Sequence, residues 1–355
     1  MGRPKAALVL EDGTTFEGMP FGKVGESFGE TLFYTGVVGY QELITNPSYR
    51  GTLAVLTYPI IGSYGVNGED DESASAQTGG LVIREYSRTY SNFRATGALE
   101  DFLKERGVVG IREVDTRAVT VHLREHGEMR GAIVSGDFDA ARLAAKLKET
   151  PSPFETDLVS DVTREGRREP DGPARQRIAL LNLGVKESLL SQLAELGCTI
   201  EIWKSTADAE DILAAEPDSL LLAGGPGDPR VLSGVVETVR SLLGKRPMLG
   251  IGLGHQVLAL ALGANVKRMK VGHRGVNYPV RNRVKGTSGI TVQHHSFVVE
   301  AEGLPDAVEI THTNLNDGTV EGIRSKEVAA WGVQFHPCRD ETEQPSALLK
   351  RFCET

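Results

Sequence analysis

Residues 249–256, Leu-Gly-Ile-Gly-Leu-Gly-His-Gln, carry an apolar run, Pro247-Met248-Leu249, through a glycine-rich corner into a helical pattern, His255 to Leu262. A strand that turns this sharply into a helix has the shape of a nucleophile elbow, where the corner residue presents a hydroxyl or thiol to a carbonyl carbon. Here the corner residue is Gly252. A side chain at such a corner sits at positive φ at a cost of about 1–3 kcal/mol. Glycine removes that strain and, with it, the attacking atom.

A second glycine corner, Gly224-Gly225-Pro226-Gly227-Asp228-Pro229, follows the apolar run Leu220-Leu221-Leu222. Glycines there let the backbone approach a ligand and turn N–H groups toward an oxyanion, although a plain tight turn has the same composition. Histidines supply the third signal: His255, His273, His294, His295 and His336, the last within Val333-Gln334-Phe335-His336-Pro337-Cys338. A histidine that ends an apolar strand before a proline is placed to act as a general base, and equally to act as a hydrogen-bonded cap. If the strand persisted, His336 and Cys338 would share a face and, with His294 or His295, could imitate a zinc set. Nothing else in the sequence supports a metal, and none is expected.

These residues need a scaffold that brings strand ends together. From residue 177 onward the pattern alternates: strand Ile178–Leu181, helix Lys186–Leu196, strand Thr199–Trp203, helix Ala207–Ala215, strand Ser219–Leu222, helix Val231–Leu243, then the strand into the elbow. This is an α/β pattern with a mainly parallel central sheet, which places sites at the carboxyl ends of its strands. Residues 1–150 read differently, as a mixed α+β domain with sheet before helices. Short runs such as Ala7–Leu10, Thr52–Thr57 and Gly80–Ile83 precede helical patterns at Ala98–Arg106 and Asp115–His126. Between the two domains, residues 151–176 carry prolines, glycines and mixed charge, the composition of a linker. The expected division is therefore 1–150, linker 151–176, and 177–355.

Composition sets the outer bounds. At 355 residues, two domains are expected, and 40% hydrophobic with 25% charged residues is ordinary for a globular chain. The net charge is −9 and the basic residues are dispersed, so no stripe exists for a phosphate backbone and nucleic acid is not an expected partner. Cys198, Cys338 and Cys353 are too few and too far apart for a disulfide framework, which suits a reducing, cytoplasmic setting. The start, Met1-Gly2-Arg3-Pro4-Lys5, leads into an apolar run too short for a signal peptide. The longest apolar stretch, Met248–Ala264, is interrupted by His255, Gln256 and glycines, so no membrane association is expected.

Taken together the sequence resembles class I glutamine amidotransferases, and more narrowly the small subunits of carbamoyl-phosphate synthase. In the first domain the resemblance rests on Leu10-Glu11-Asp12-Gly13, Gly39-Tyr40-Gln41-Glu42, Asn46-Pro47-Ser48-Tyr49, Leu56-Thr57-Tyr58-Pro59, Ser91-Asn92-Phe93-Arg94 and Asp115-Thr116-Arg117. In the second it rests on Gly225-Pro226-Gly227-Asp228-Pro229, Gly254-His255-Gln256, Gly272-His273 with Asn277 and Pro279, and Phe335-His336-Pro337. The resemblance implies a chain whose relatives hydrolyse glutamine with a Cys-His-Glu triad. They pass the ammonia to a large synthetase subunit, where bicarbonate and ATP, with Mg, become carbamoyl phosphate for pyrimidine and arginine synthesis. No cofactor is expected in this chain itself.

Against that family pattern the chain departs at the chemistry. The triad cysteine corresponds to Gly252 and the triad glutamate to Cys338, so that only His336 remains. By resemblance, glutamine would be held by Ser48, Gly225, Gly227, Leu253 and Gln256, all present. It would also meet a family Asn-His-Gly-Phe run that here reads His294-His295-Ser296-Phe297. Four linked changes, at Gly252, His294, Ser296 and Cys338, imply a divergent copy that has given up hydrolysis. Cys338 is not expected to replace the missing nucleophile, because the oxyanion donors at Gly225 and Leu253 aim at the elbow. Two readings follow: a small subunit that supports a large subunit fed by free ammonia, or a non-catalytic paralogue that binds glutamine or another small amide as a sensor. A hydrolase repurposed around Cys338 or a histidine-bound metal is the third.

Overall fold

The computed structural model describes residues 5–340 and 342–355; Glu341 and the Met1–Pro4 start read above lie outside the described residues. Two compact units divide after Thr156, with Lys270–Arg274 grouping with the first.

In the first unit seven strands close into a barrel: Ala6–Leu10, Thr15–Gly22, Glu26–Tyr34, Thr52–Leu56, Gly80–Val82, Val109–Arg112 and Met129–Ser135. The expected order of sheet before helices does not hold. Val109–Arg112 lies between two helices, and Met129–Ser135 closes the ring by pairing with both Ala6–Leu10 and Glu26–Tyr34. The first strand shows why it is buried throughout: Ala6, Leu8 and Leu10 pack with Leu53, Val55 and Ile133, whereas Ala7 and Val9 point the other way, under the helix Ala140–Glu149. The helix Thr116–His126 begins where Asp115 accepts the Ala118 N–H at 3.0 Å and ends at Gly127, as its sequence signals require.

Lys270–Arg274 is held to this unit by a buried ion pair. Glu128 accepts from the Arg274 guanidinium and, at 3.0 Å, from the Gly272 N–H, and the paired side chains are 1% and 5% exposed.

The second unit is built on a ten-stranded sheet. Its centre is five parallel strands in the order Cys198–Lys204, Gln176–Asn182, Ser219–Leu222, Met248–Ile251, Ala330–Val333. Alternate residues of Gln176–Asn182 feed two clusters. Ile178 and Leu180 pack with the helix Glu187–Glu195 and the C-terminal helix Ala347–Phe352, while Ala179 and Leu181 pack with Ser233–Leu242 and Leu253–Ala261. Both faces are covered, which is why these strands read as continuous apolar runs.

Beyond Ala330–Val333 the sheet continues through Val320–Ser325 and Val308–Asn314, each antiparallel to its neighbour, to the long strands Val266–Asn282 and Ser288–Val299. The segment read as a linker is folded: Pro153–Glu155 forms a 3-10 turn, and Gly166–Arg168 pairs antiparallel with Ile200–Ile202 as the opposite sheet edge. Its glycine and charge content reflects an exposed edge strand. Among the described residues no helix is long and apolar enough to cross a membrane.

Candidate active site

Met248–Ile251 ends against the helix Leu253–Ala261, and Gly252 between them has φ 58° and ψ −115°, a conformation that L side chains rarely adopt. Its N–H donates to Val333 O at 2.9 Å, tying the corner to the adjacent strand. Space does not require glycine here. A Cβ at this position would meet only Gly224 Cα at 3.6 Å, Gln334 O at 3.9 Å and His336 Cε1 at 3.9 Å. The corner therefore has room for a side chain facing the imidazole and carries none.

His336 does not end a strand. The strand stops at Val333, and His336 is held instead by its N–H bond to Val292 O at 2.9 Å, an isolated bridge to Ser288–Val299. The ring is buried, and its centroid lies 5.1 Å from that of His294. Burial first, and the positive charge of Lys186 second, push the imidazole down to about 3, so it is neutral at pH 7. Among the described residues no carboxylate is bonded to it. Because the strand ends early, Cys338 shares no strand face with His336. It is exposed, in a segment anchored by Gln192 donating to Pro337 O at 3.0 Å and by the Arg339–Glu195 ion pair.

The glycine corner at 224–227 comes to the same place. A Cβ on Gly224 would lie 3.3 Å from His336 Cε1, and one on Gly225 would lie 3.0 Å from Leu253 Cδ2 and only 2.0 Å from Leu183 O. Gly225 is therefore obliged to be glycine by the backbone beside it. Gly227 turns the chain at φ 82°, and Asp228 caps the following turn through the Arg230 N–H at 2.9 Å. The N–H of Leu253 is the first of its helix and has no intrahelical acceptor, and that of Gly225 meets no acceptor among the described residues. Two donors thus flank the elbow, where a carbonyl oxygen could be polarised.

Gln256 is buried, with its amide donating to Phe297 O at 2.7 Å and to Gln334 Oε1 at 2.9 Å. Phe297 O also meets His295 Nδ1 at 2.9 Å, while His295 Nε2 meets Gln293 Oε1 at 3.1 Å. The ligand atoms of His295 come within 4.8 Å of those of His273 and Glu321, a different grouping from the set with His336 and Cys338 considered above. Ser296 and Phe297 are buried and His294 is half-buried. Ser48 belongs to the first unit, in the 3-10 turn Pro47–Tyr49, where its N–H donates to Asn46 Oδ1 at 3.0 Å.

Three residues went unnoticed in the sequence. Gln334 O lies 3.9 Å from where a Cβ at the elbow would stand, and its side chain accepts from Gln256; its position two residues before His336 was the available signal. The charge of Lys186 bears on the imidazole, an electrostatic influence between segments 150 residues apart that no local pattern reveals. His312 is pushed down to about 4 by burial and then by Lys285, and lies near His255. The corner thus sets two N–H donors and a neutral imidazole around a residue that carries no side chain.

Known proteins carry the same two halves. The CPSase domain of the carbamoyl-phosphate synthase small chain matches residues 8–133, and class I glutamine amidotransferase matches residues 179–355. The chain is 41% identical to the carbamoyl phosphate synthase small chain of Syntrophotalea carbinolica over 94% of its own length and 92% of that protein's. To the protein of the same name from Chlorobaculum tepidum it is 42% identical, covering 98% of this chain and 97% of the other. To that of Akkermansia muciniphila it is 42% identical, covering 98% and 96%.

Proposed function

The chain belongs to the carbamoyl phosphate synthase small chain family, and on that premise we propose that it is a small subunit that retains its fold but has lost its own glutamine hydrolysis. The observation that carries the reading is the pairing of Gly252 with His336. The imidazole stands 3.9 Å from where a side chain at the elbow would begin, and residue 252 has none. Without a thiol there is no acyl-enzyme, and residues that act as a unit fail together. The missing carboxylate agrees with this: His336 is neutral and buried, no acid among the described residues orients it, and Cys338, at the position of the family's glutamate, faces solvent.

On this reading the partner is a carbamoyl-phosphate synthase large subunit, which binds ATP and Mg and condenses bicarbonate with free ammonia. The small subunit then acts as a structural and regulatory companion. The sensor alternative is less well supported, because both amide hydrogens of Gln256 are already spent on Phe297 and Gln334. Reconstitution with a large subunit tests the proposal by nitrogen source. Carbamoyl phosphate should form from ammonium, and amide-labelled glutamine should contribute no label. Label in the product at the rate seen with ammonium would refute it.

A further inference from the structure

Two sulfurs distant in sequence lie in contact. Cys198 opens the strand Cys198–Lys204 and is fully buried; Cys353 caps the C-terminal helix Ala347–Phe352 and is partly exposed. Their Sγ atoms are 3.2 Å apart, with either able to donate to the other. The helix that delivers Cys353 is well seated. Leu349 and Phe352 are fully buried with Ile200 and Ile251, and the Phe352 ring meets Trp331 edge-on at 5.9 Å. A disulfide needs a sulfur separation of about 2.05 Å, so side-chain rotation covers most of the remaining gap and the helix can stay in place.

We propose that Cys198 and Cys353 form an oxidisable pair, which a peroxide converts to a disulfide that staples the C-terminal helix to the sheet. Exposure decides which sulfur meets the oxidant. The thiolate is the reactive form; the hydrogen bond between the two sulfurs favours ionisation of Cys198 and holds the proton on Cys353, so Cys353 reacts only as it gives that proton up. Cys353 Sγ attacks one peroxide oxygen as it gives up its proton; the O–O bond breaks, the departing hydroxide takes that proton and leaves as water, and Cys353 becomes a sulfenic acid. Cys198 Sγ then attacks the Cys353 sulfur; the S–S bond forms, the S–O bond breaks, and the departing hydroxide takes the Cys198 proton as a second water. Two thiols and one hydrogen peroxide give one disulfide and two waters.

The pair has a structural consequence. The helix contributes Leu348 and Arg351 to a cavity of about 180 Å³ that Trp331 also lines, so oxidation fixes one wall of that cavity. Cys338, exposed and outside the pair, is the internal control.

The test is to treat the full chain with a small excess of hydrogen peroxide, count thiols after denaturation and map the peptides by mass spectrometry. Of the three cysteines, one should remain titratable, a Cys198–Cys353 cross-linked peptide should appear, and dithiothreitol should reverse both. The oxidised protein should also melt at a higher temperature than the reduced one. Cys338→Ser, a surface change, should leave the cross-link intact, and Cys353→Ser should abolish it. Oxidation confined to Cys338 with Cys198 and Cys353 both still titratable, or Cys353 driven to sulfinic acid while Cys198 stays reduced, would overturn the proposal.

Discussion

The position a Cβ would take on Gly252 lies 3.9 Å from Cε1 of His336, inside ordinary contact distance and clear of any backbone clash. Gly252→Cys should therefore fold, with a stability loss of about 1–3 kcal/mol from a side chain at φ 58°. On its own it should restore only weak glutamine hydrolysis, because an imidazole without its acid is poorly oriented. Adding His336→Ala should abolish whatever release Gly252→Cys restores, because the thiol then has no base beside it. Steady-state glutamate release compares the two variants.

Acid should destabilise the protein through its buried histidines. His255 is fully buried, neither ring nitrogen has a hydrogen-bond partner among the described residues, and burial followed by the nearby His312 pushes it down to about 3; His336 is also held near 3. Each binds a proton in the unfolded chain below about pH 6.5 and not in the folded one. Each therefore contributes stability that is complete above pH 6.5 and is lost as pH falls toward 3, at about 1.4 kcal/mol per pH unit. Denaturant unfolding between pH 7 and 5 should show this slope, and His255→Leu should reduce it by about one proton at little cost at pH 7, since it removes two unsatisfied nitrogens.

Glu128 and Arg274 form an ion pair hidden from water. Removing Glu128 takes a carboxylate away from a buried guanidinium, so Glu128→Ala should cost about 3–5 kcal/mol, whereas the exposed pair Arg94–Glu69 should cost under about 1 kcal/mol when broken. Urea denaturation of the two variants should separate these values.

Gly225 faces Leu183 O at a distance no Cβ can share. Gly225→Ala should destabilise the protein by about 3 kcal/mol, because backbone must move. Gly286→Ala, where nothing lies within 4 Å but φ is also positive, should cost only the smaller backbone strain of about 1 kcal/mol. Thermal melts of the two variants measure the difference.

Much of the second unit was legible because its parallel strands are buried on both faces and write themselves as apolar runs, Ser219–Leu222 among them. The elbow was legible because strand, glycine corner and helix are contiguous, and Gly252 does take the positive φ expected of it. The barrel was not, since closure depends on Met129–Ser135 returning to Ala6–Leu10, and no local periodicity encodes a partner over 120 residues away. The same limit hid Gln334 and Lys186. Reading His336 as the end of a strand failed for a local reason: apolar residues at 333 and 335 continue the pattern after the ladder has stopped at Val333.

The most direct measurement is glutamate release from glutamine by the purified chain, alone and with a large subunit. We predict release indistinguishable from a protein-free control in both conditions. Steady turnover that disappears on His336→Ala would contradict the account, because it would mean that some group of this chain attacks the amide.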